Sequence, residues 1–282
     1  MSRDISSISG IEAGLRDELA KLGNRGVQIG AGEQAATYSL RWGGEVAHSG
    51  NCLFEAVAAA LGAGEPASSV RLRCVAQFQA LRVAGALPPD IDQTIRNLYC
   101  PDLAAGWAVN FIQEHKLLVP AVALARAEAL VASQEAGGAS YNDAAEAVFR
   151  EVGAAVDSAA AWARYMALGG SASDAARMLL SVDVAGAGMG AFGDDLAIEC
   201  LAAAYGRDIY VVQAHGEDAG SGAGGALFFL PHRSLGGGPA ADGLPLFLLM
   251  KGCGWTSAGA DHFEPLICSR CLCPAEEPYI IL

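Results

Sequence analysis

"HSGNCLFEAV", residues His48–Val57, decides how the rest of the chain is read. A run of small, flexible residues stops at a cysteine, and a helical pattern begins at that same residue. The first turn of a helix carries unpaired N–H groups and a partial positive charge, and both favour a thiolate. Gly50 and Asn51 tolerate unusual backbone angles, so the loop can turn its own N–H groups inward beside the sulfur, as an oxyanion hole requires. Ser49, Gly50 and Asn51 are therefore the candidate oxyanion loop and Cys52 the candidate nucleophile. The competing reading is an inert, buried cysteine, a common fate of this residue.

A nucleophilic cysteine needs a base, and the chain has five histidines. His48 is on the same loop. His115 lies in a helical run between Glu114 and Lys116 and reads as exposed. His215 and His232 flank loop material. His262 opens the β-rich run "DHFEPLI" (261–267). In a strand, residues i and i+2 share a face, so Glu264 can support the His262 ring, while Asp261 falls on the opposite side.

Around these two points the chain changes texture. Residues 8–22 repeat apolar side chains at helical spacing, closed by Gly23. "VQIGAGEQAATYSLRWGG" (27–44) reads as irregular, with at most short extended pieces. Helices are expected from about Cys52 to Leu61 and over 69–83, with Pro88-Pro89 as a break. Helical spacing continues through most of 90–168, including Trp107, Phe111, Trp162 and Tyr165, which read as core. After "DDLAIECLAAAYG" (194–206), a helix, come short strand candidates at 207–213, 226–231, 244–251 and 261–267, joined by Gly-rich turns. Helices first and strands last suggest an α+β protein with a small, mostly antiparallel sheet.

The bulk numbers narrow the function. With 282 residues, 52% hydrophobic and 17% charged, the chain is globular and not disordered. A net charge of −13 argues against binding nucleic acid through phosphates. It permits a basic protein partner. No apolar run reaches the ~18 residues of a membrane span, and "MSRDISSISG" lacks the apolar core of a secretory signal. The eight cysteines then read as reduced thiols in a cytosol-like compartment. "CSRCLC" contains Cys268, Cys271 and Cys273, and Cys253 is a conceivable fourth zinc ligand. With no second spaced pair, however, no metal is expected.

"SGNCLFEAV" resembles the nucleophile motif of the ovarian-tumour (OTU) family of cysteine proteases, which typically reads D-G-N-C-L-F-R-A. "DHFEPLI" resembles that family's closing histidine motif. "MGAFGDDLAIECLAAAYGRDIYVV" (189–212) resembles its central helix-then-strand block. The three motifs occur in the family's order over roughly 46–267, and 85–160 has no clear counterpart. The resemblance implies a papain-like OTU fold: a helical lobe, enlarged by the insert 85–160, packed on the sheet. Residues 1–45 would belong to the same domain, 46–267 would be its catalytic part and 268–282 a tail. No polar linker encloses the insert, so no separate domain is expected there.

The resemblance also implies an activity: a deubiquitinase that cuts isopeptide bonds after the C-terminal glycine of ubiquitin or a ubiquitin-like modifier. Cys52 would be the nucleophile, His262 the base and Glu264 the third triad member, with no cofactor. Ser49 stands where the family usually has aspartate, and Glu264 is one methylene longer than the usual Asp or Asn. Phe192 and Ala197 replace the family's frequent tryptophan and acid. Trp255, in the glycine-rich loop before His262, is a candidate wall for the modifier's tail. Asp194, Asp195, Glu217 and Asp218 are candidates to meet that tail's arginines, although Asp194 and Asp195 also suit a helix start. The expected partners are ubiquitin conjugates, with no nucleic acid, no membrane and a monomer assumed. The expected compartment is the cytoplasm, or a host cytosol if the source is a virus or pathogen. Alternatives are an OTU-like module that binds ubiquitin without cutting it, and a protease acting on a polyprotein.

Overall fold

The structure, a computed structural model, describes residues 13–30, 35–47, 50–62, 64–98, 129–130, 132–139, 157–167, 193–215, 226–233, 235, 243–251, 262–271 and 278–281. Its helices are α1 (Ala13–Arg25), α2 (Cys52–Leu61), α3 (Ala67–Val83), α4 (Ile91–Leu98), α5 (Ser158–Met166) and α6 (Asp195–Tyr205). Its strands are β1 (Val27–Ile29), β2 (Ala36–Trp42), β3 (Ile209–His215), β4 (Ala226–His232), β5 (Leu246–Lys251), β6 (His262–Arg270) and β7 (Tyr279–Ile281). The protein is α+β. The chain forms two compact units, Met1–Gln77 with Phe192–Leu282, and Phe78–Ala191.

The first unit is built on one seven-stranded sheet of order β4-β3-β5-β6-β2-β1-β7. β1–β7 and β3–β5 pair in parallel and the other neighbours antiparallel. The runs expected at 207–213, 244–251 and 261–267 are β3, β5 and β6, adjacent in this sheet. Their alternation puts Tyr210, Val212, Phe247, Leu249 and Leu266 on one face, where they bury against Leu19 and Leu22 of α1. α2 lies along β5 and β6, and α6 along β3 and β4.

Two expectations are corrected here. The run 27–44 holds more extended structure than expected. It supplies β1 and β2, and β2 is the inner neighbour of β6. "TYSLRW" (37–42) alternates polar and apolar in the strand period, a signal that the surrounding glycines mask. Nor is 268–282 a tail outside the fold, because β6 runs on to Arg270 and β7 pairs with β1. The sheet is larger than expected for both reasons.

The second unit extends on both sides of the insert expected at 85–160. Its described helices bury an apolar set of their own: Phe78, Ile91, Ile95, Trp162 and Met166. The Phe78 and Trp162 rings lie 4.5 Å apart. Asp92 accepts a hydrogen bond from the Ala159 amide at 3.0 Å, and Arg82 pairs with Asp157. Trp107, Phe111 and His115 lie outside the described residues.

Candidate active site

α2 begins at Cys52 because the loop before it is fastened from outside. Asn51 occupies the N-cap position, yet its side chain makes no capping bond. Its Oδ1 instead accepts from Arg71 Nε of α3 at 2.9 Å. Arg71 Nη2 donates to the Gly50 carbonyl at 2.6 Å, and the guanidinium stacks 4.0 Å from the centre of the Phe54 ring. Arg71 is 0% exposed. In a trans peptide the carbonyl and the following N–H point in opposite directions. Drawing the Gly50 carbonyl toward Arg71 therefore turns the Asn51 N–H away from it. From the other side, Glu55 Oε2 accepts from the Ala47 amide at 3.0 Å. Gly193 lies so close to Leu53 that a Cβ there would fall 2.2 Å from Leu53 Cδ2, which seats the lead-in to α6 against the first turn of α2. Ser49 and His48 lie outside the described residues.

β6 meets the sulfur at the point where β2 has ended. The last β2–β6 pair is Trp42 with Leu266, and the Gly43 amide donates to the Pro265 carbonyl at 2.8 Å. In a strand, one residue's N–H and C=O point to the same side. The donor that Pro265 lacks is thus missing on the side where β2 turns away, which is why this inner strand tolerates proline. Phe263, two residues earlier, presents its amide on that same side. The Cys52 sulfur takes it up, together with the amide of Leu53.

Cys52 is 3% exposed. Burial pushes its thiol above the ordinary value. The Phe263 and Leu53 amides oppose the rise, Glu55 adds to it and Arg71 opposes it. The expectation that the helix start depresses this pKa is corrected: in the resting protein desolvation outweighs the favourable amides.

Glu264 is 0% exposed and held at both oxygens. Oε2 accepts from Trp42 Nε1 at 2.8 Å, and Oε1 pairs with Lys251 Nζ. His262, 4% exposed, places Nε2 at 3.9 Å from the same Oε1. That separation exceeds hydrogen-bond range. The side chains of His262 and Glu264 share a face as the i, i+2 spacing implies, and Glu264 is turned inward, away from solvent. Burial without paired charges would be prohibitive for a carboxylate. Trp42 and Lys251 supply that compensation.

Asp194 is the N-cap of α6, and its Oδ1 accepts from the Ala197 amide at 2.7 Å. Asp195 follows, exposed. Trp255, Glu217, Asp218, Asp261, Cys253 and Cys273 lie outside the described residues. Cys268 stands on β6 with its thiol pushed up to about 12, first by burial and then by Cys271. Among the described residues no group of His, Cys, Asp or Glu is arranged to hold a metal, and no helix is long and apolar enough to cross a membrane.

Three side chains of this site escaped the sequence: Arg71, Trp42 and Lys251. Arg71 left a trace, since it falls beside the apolar stripe of Val70, Cys74 and Phe78, where an arginine is rare without a partner. The other two reach Glu264 only through strand pairing.

Comparison of the chain with family models, with curated proteins and with solved structures gave no match.

Proposed function

We propose that the first unit is a cysteine hydrolase of the OTU type, acting on the isopeptide bond that follows the C-terminal glycine of ubiquitin or a ubiquitin-like modifier. The observation that carries this reading is the meeting of the nucleophile motif and the closing histidine motif at one place. The sulfur of the nucleophile loop takes up the amide of Phe263, the neighbour of His262, and the buried Glu264 stands on the His262 side of β6. A papain-like arrangement of helix start, strand start and supporting acid accounts for that meeting.

His262 turns Nε2 toward Glu264, which leaves Nδ1 as the nitrogen to accept the thiol proton. The Cys52 sulfur then attacks the carbonyl carbon, and its electron pair moves to the oxygen. The Asn51 N–H, turned by Arg71, and the Cys52 N–H at the helix start receive that oxyanion. The C–N bond breaks as the imidazolium gives its proton to the departing lysine amine. Water, deprotonated by His262, releases the modifier's carboxylate and restores the thiol. A resting thiol above its ordinary pKa limits side reactions until the base is engaged. The net charge of −13 suits a modifier whose tail carries arginines. Asp195 is exposed for that contact, whereas Asp194 already caps α6.

The test is incubation with a ubiquitin C-terminal electrophile, read by intact mass. One adduct, absent from Cys52→Ala, is expected. Retained ubiquitin binding without an adduct would replace this reading by a binding module. Reaction of Cys52 with small electrophiles alone would point to another thiol hydrolase, a polyprotein protease included.

A further inference from the structure

We infer that Lys251 is a positioning residue of the His262–Glu264 pair: it pairs with Oε1, the Glu264 oxygen that lies 3.9 Å from the imidazole, and thereby sets how firmly His262 holds its proton. The inference rests on the proposed hydrolase for its purpose but not for its geometry. Lys251 and His262 are direct cross-strand partners of β5 and β6, and Leu249 is the partner of Glu264. Lys251 is therefore the diagonal neighbour of Glu264 on the same face, within reach of a long side chain. Its side chain is 9% exposed and that of Glu264 0%, so the ion pair is shielded from water. Trp42 pins the other carboxylate oxygen.

Two consequences follow for the base. A buried carboxylate with no other partner would raise the imidazole pKa and keep His262 protonated. Lys251 neutralises much of that charge and adds a positive charge of its own on the His262 side. Both effects favour neutral imidazole, the form that accepts the thiol proton. Other charged or titratable groups stand on the elements packed around this pair. Cys52 and Glu55 come from α2, and Glu55 and Arg71 act at the sulfur. The α1 charges Glu18 and Lys21 pair with each other, and Glu18 also accepts from Tyr279. β2 contributes the neutral Trp42 indole.

The experiment follows the His262 imidazole titration by NMR in the full chain carrying Cys52→Ala, which removes coupling to the thiol. The signal is assigned by its loss in His262→Ala. Lys251→Met should raise the midpoint by about one pH unit, and Lys251→Arg should leave it near that of the parent. A midpoint moved by less than about 0.3 unit in Lys251→Met overturns the inference. If Lys251→Met does not fold, Lys251→Gln answers the same question: the midpoint should again rise, and an unchanged midpoint overturns the inference equally. No ubiquitin enters this measurement. A shifted midpoint together with a wild-type chain that forms no ubiquitin adduct would sink the proposed function and leave the Lys251 coupling standing.

Discussion

Replacing Arg71 by methionine isolates what holds the nucleophile loop. The guanidinium makes two hydrogen bonds, 2.9 Å to Asn51 Oδ1 and 2.6 Å to the Gly50 carbonyl, and stacks on Phe54 at 4.0 Å. Hydrogen bonds to a charged group contribute about 1.5–3 kcal/mol each and a buried cation–π contact about 2. Against this stands the several kcal/mol that burying a cation costs, which methionine does not incur. What remains is the Gly50 carbonyl and the Asn51 amide left without this donor, at about 1–3 kcal/mol each. A net loss of about 2–4 kcal/mol is expected, a substantial share of a typical ~5–15. The urea midpoint should fall by about 1 M, as tryptophan fluorescence would show. Below that transition, the folded variant should react with the ubiquitin electrophile about 10- to 100-fold more slowly, because the Asn51 peptide is no longer held in one orientation. Arg71→Lys keeps the charge without the fork and should fall between the two. A variant with its midpoint within about 0.3 M of the parent and its rate within about twofold would refute the assignment of Arg71 as the loop's anchor.

Burial already raises the Cys52 thiol in the parent, so its alkylation by iodoacetamide should favour alkaline pH, and His262→Ala, lacking the base, should lose what neutral reactivity the parent has. Equal neutral reactivity in both would show that His262 is not the base. Gly193→Ala should destabilise by about 1–3 kcal/mol through collision with Leu53, and a second change, Leu53→Ala, should recover part of that loss; additive effects in thermal or urea unfolding would contradict the packing. Tyr279 is pushed up to about 12, first by burial and next by the hydrogen bond it donates to Glu18 at 2.8 Å. The folded state holds this proton more tightly than the unfolded chain does. Its contribution is complete below about pH 10 and fades as pH rises toward 12. Absorbance at 295 nm should show late phenols, Tyr205 being pushed up to about 12 as well, and Tyr279→Phe should remove one of them; an unchanged titration would refute it.

How much of this was legible depends on the range over which each signal acts. Cys52, α2 and the shared face of His262 and Glu264 follow from neighbours a few residues apart: a loop that stops at a helix start, and a two-residue strand period. The α6 start is similar, since Asp194 caps it within its own turn. Trp42 and Glu264 are 222 positions apart, and only the β2–β6 register brings them together. Lys251 closes an apolar run and reads there as the solvated end of a strand. Pairing with His262 makes it a buried counter-charge instead. The thiol shows the same division within one residue. The local pattern, a helix N-terminus, says the pKa should fall. Burial, which depends on what the rest of the unit packs over the sulfur, says it should rise, and burial is the larger cause. Sequence patterns therefore placed the candidate site's Cys52, His262 and Glu264, while the groups that hold them are fixed by pairings between distant segments. That is why the supporting side chains, and not the nucleophile, are where substitutions will be most informative.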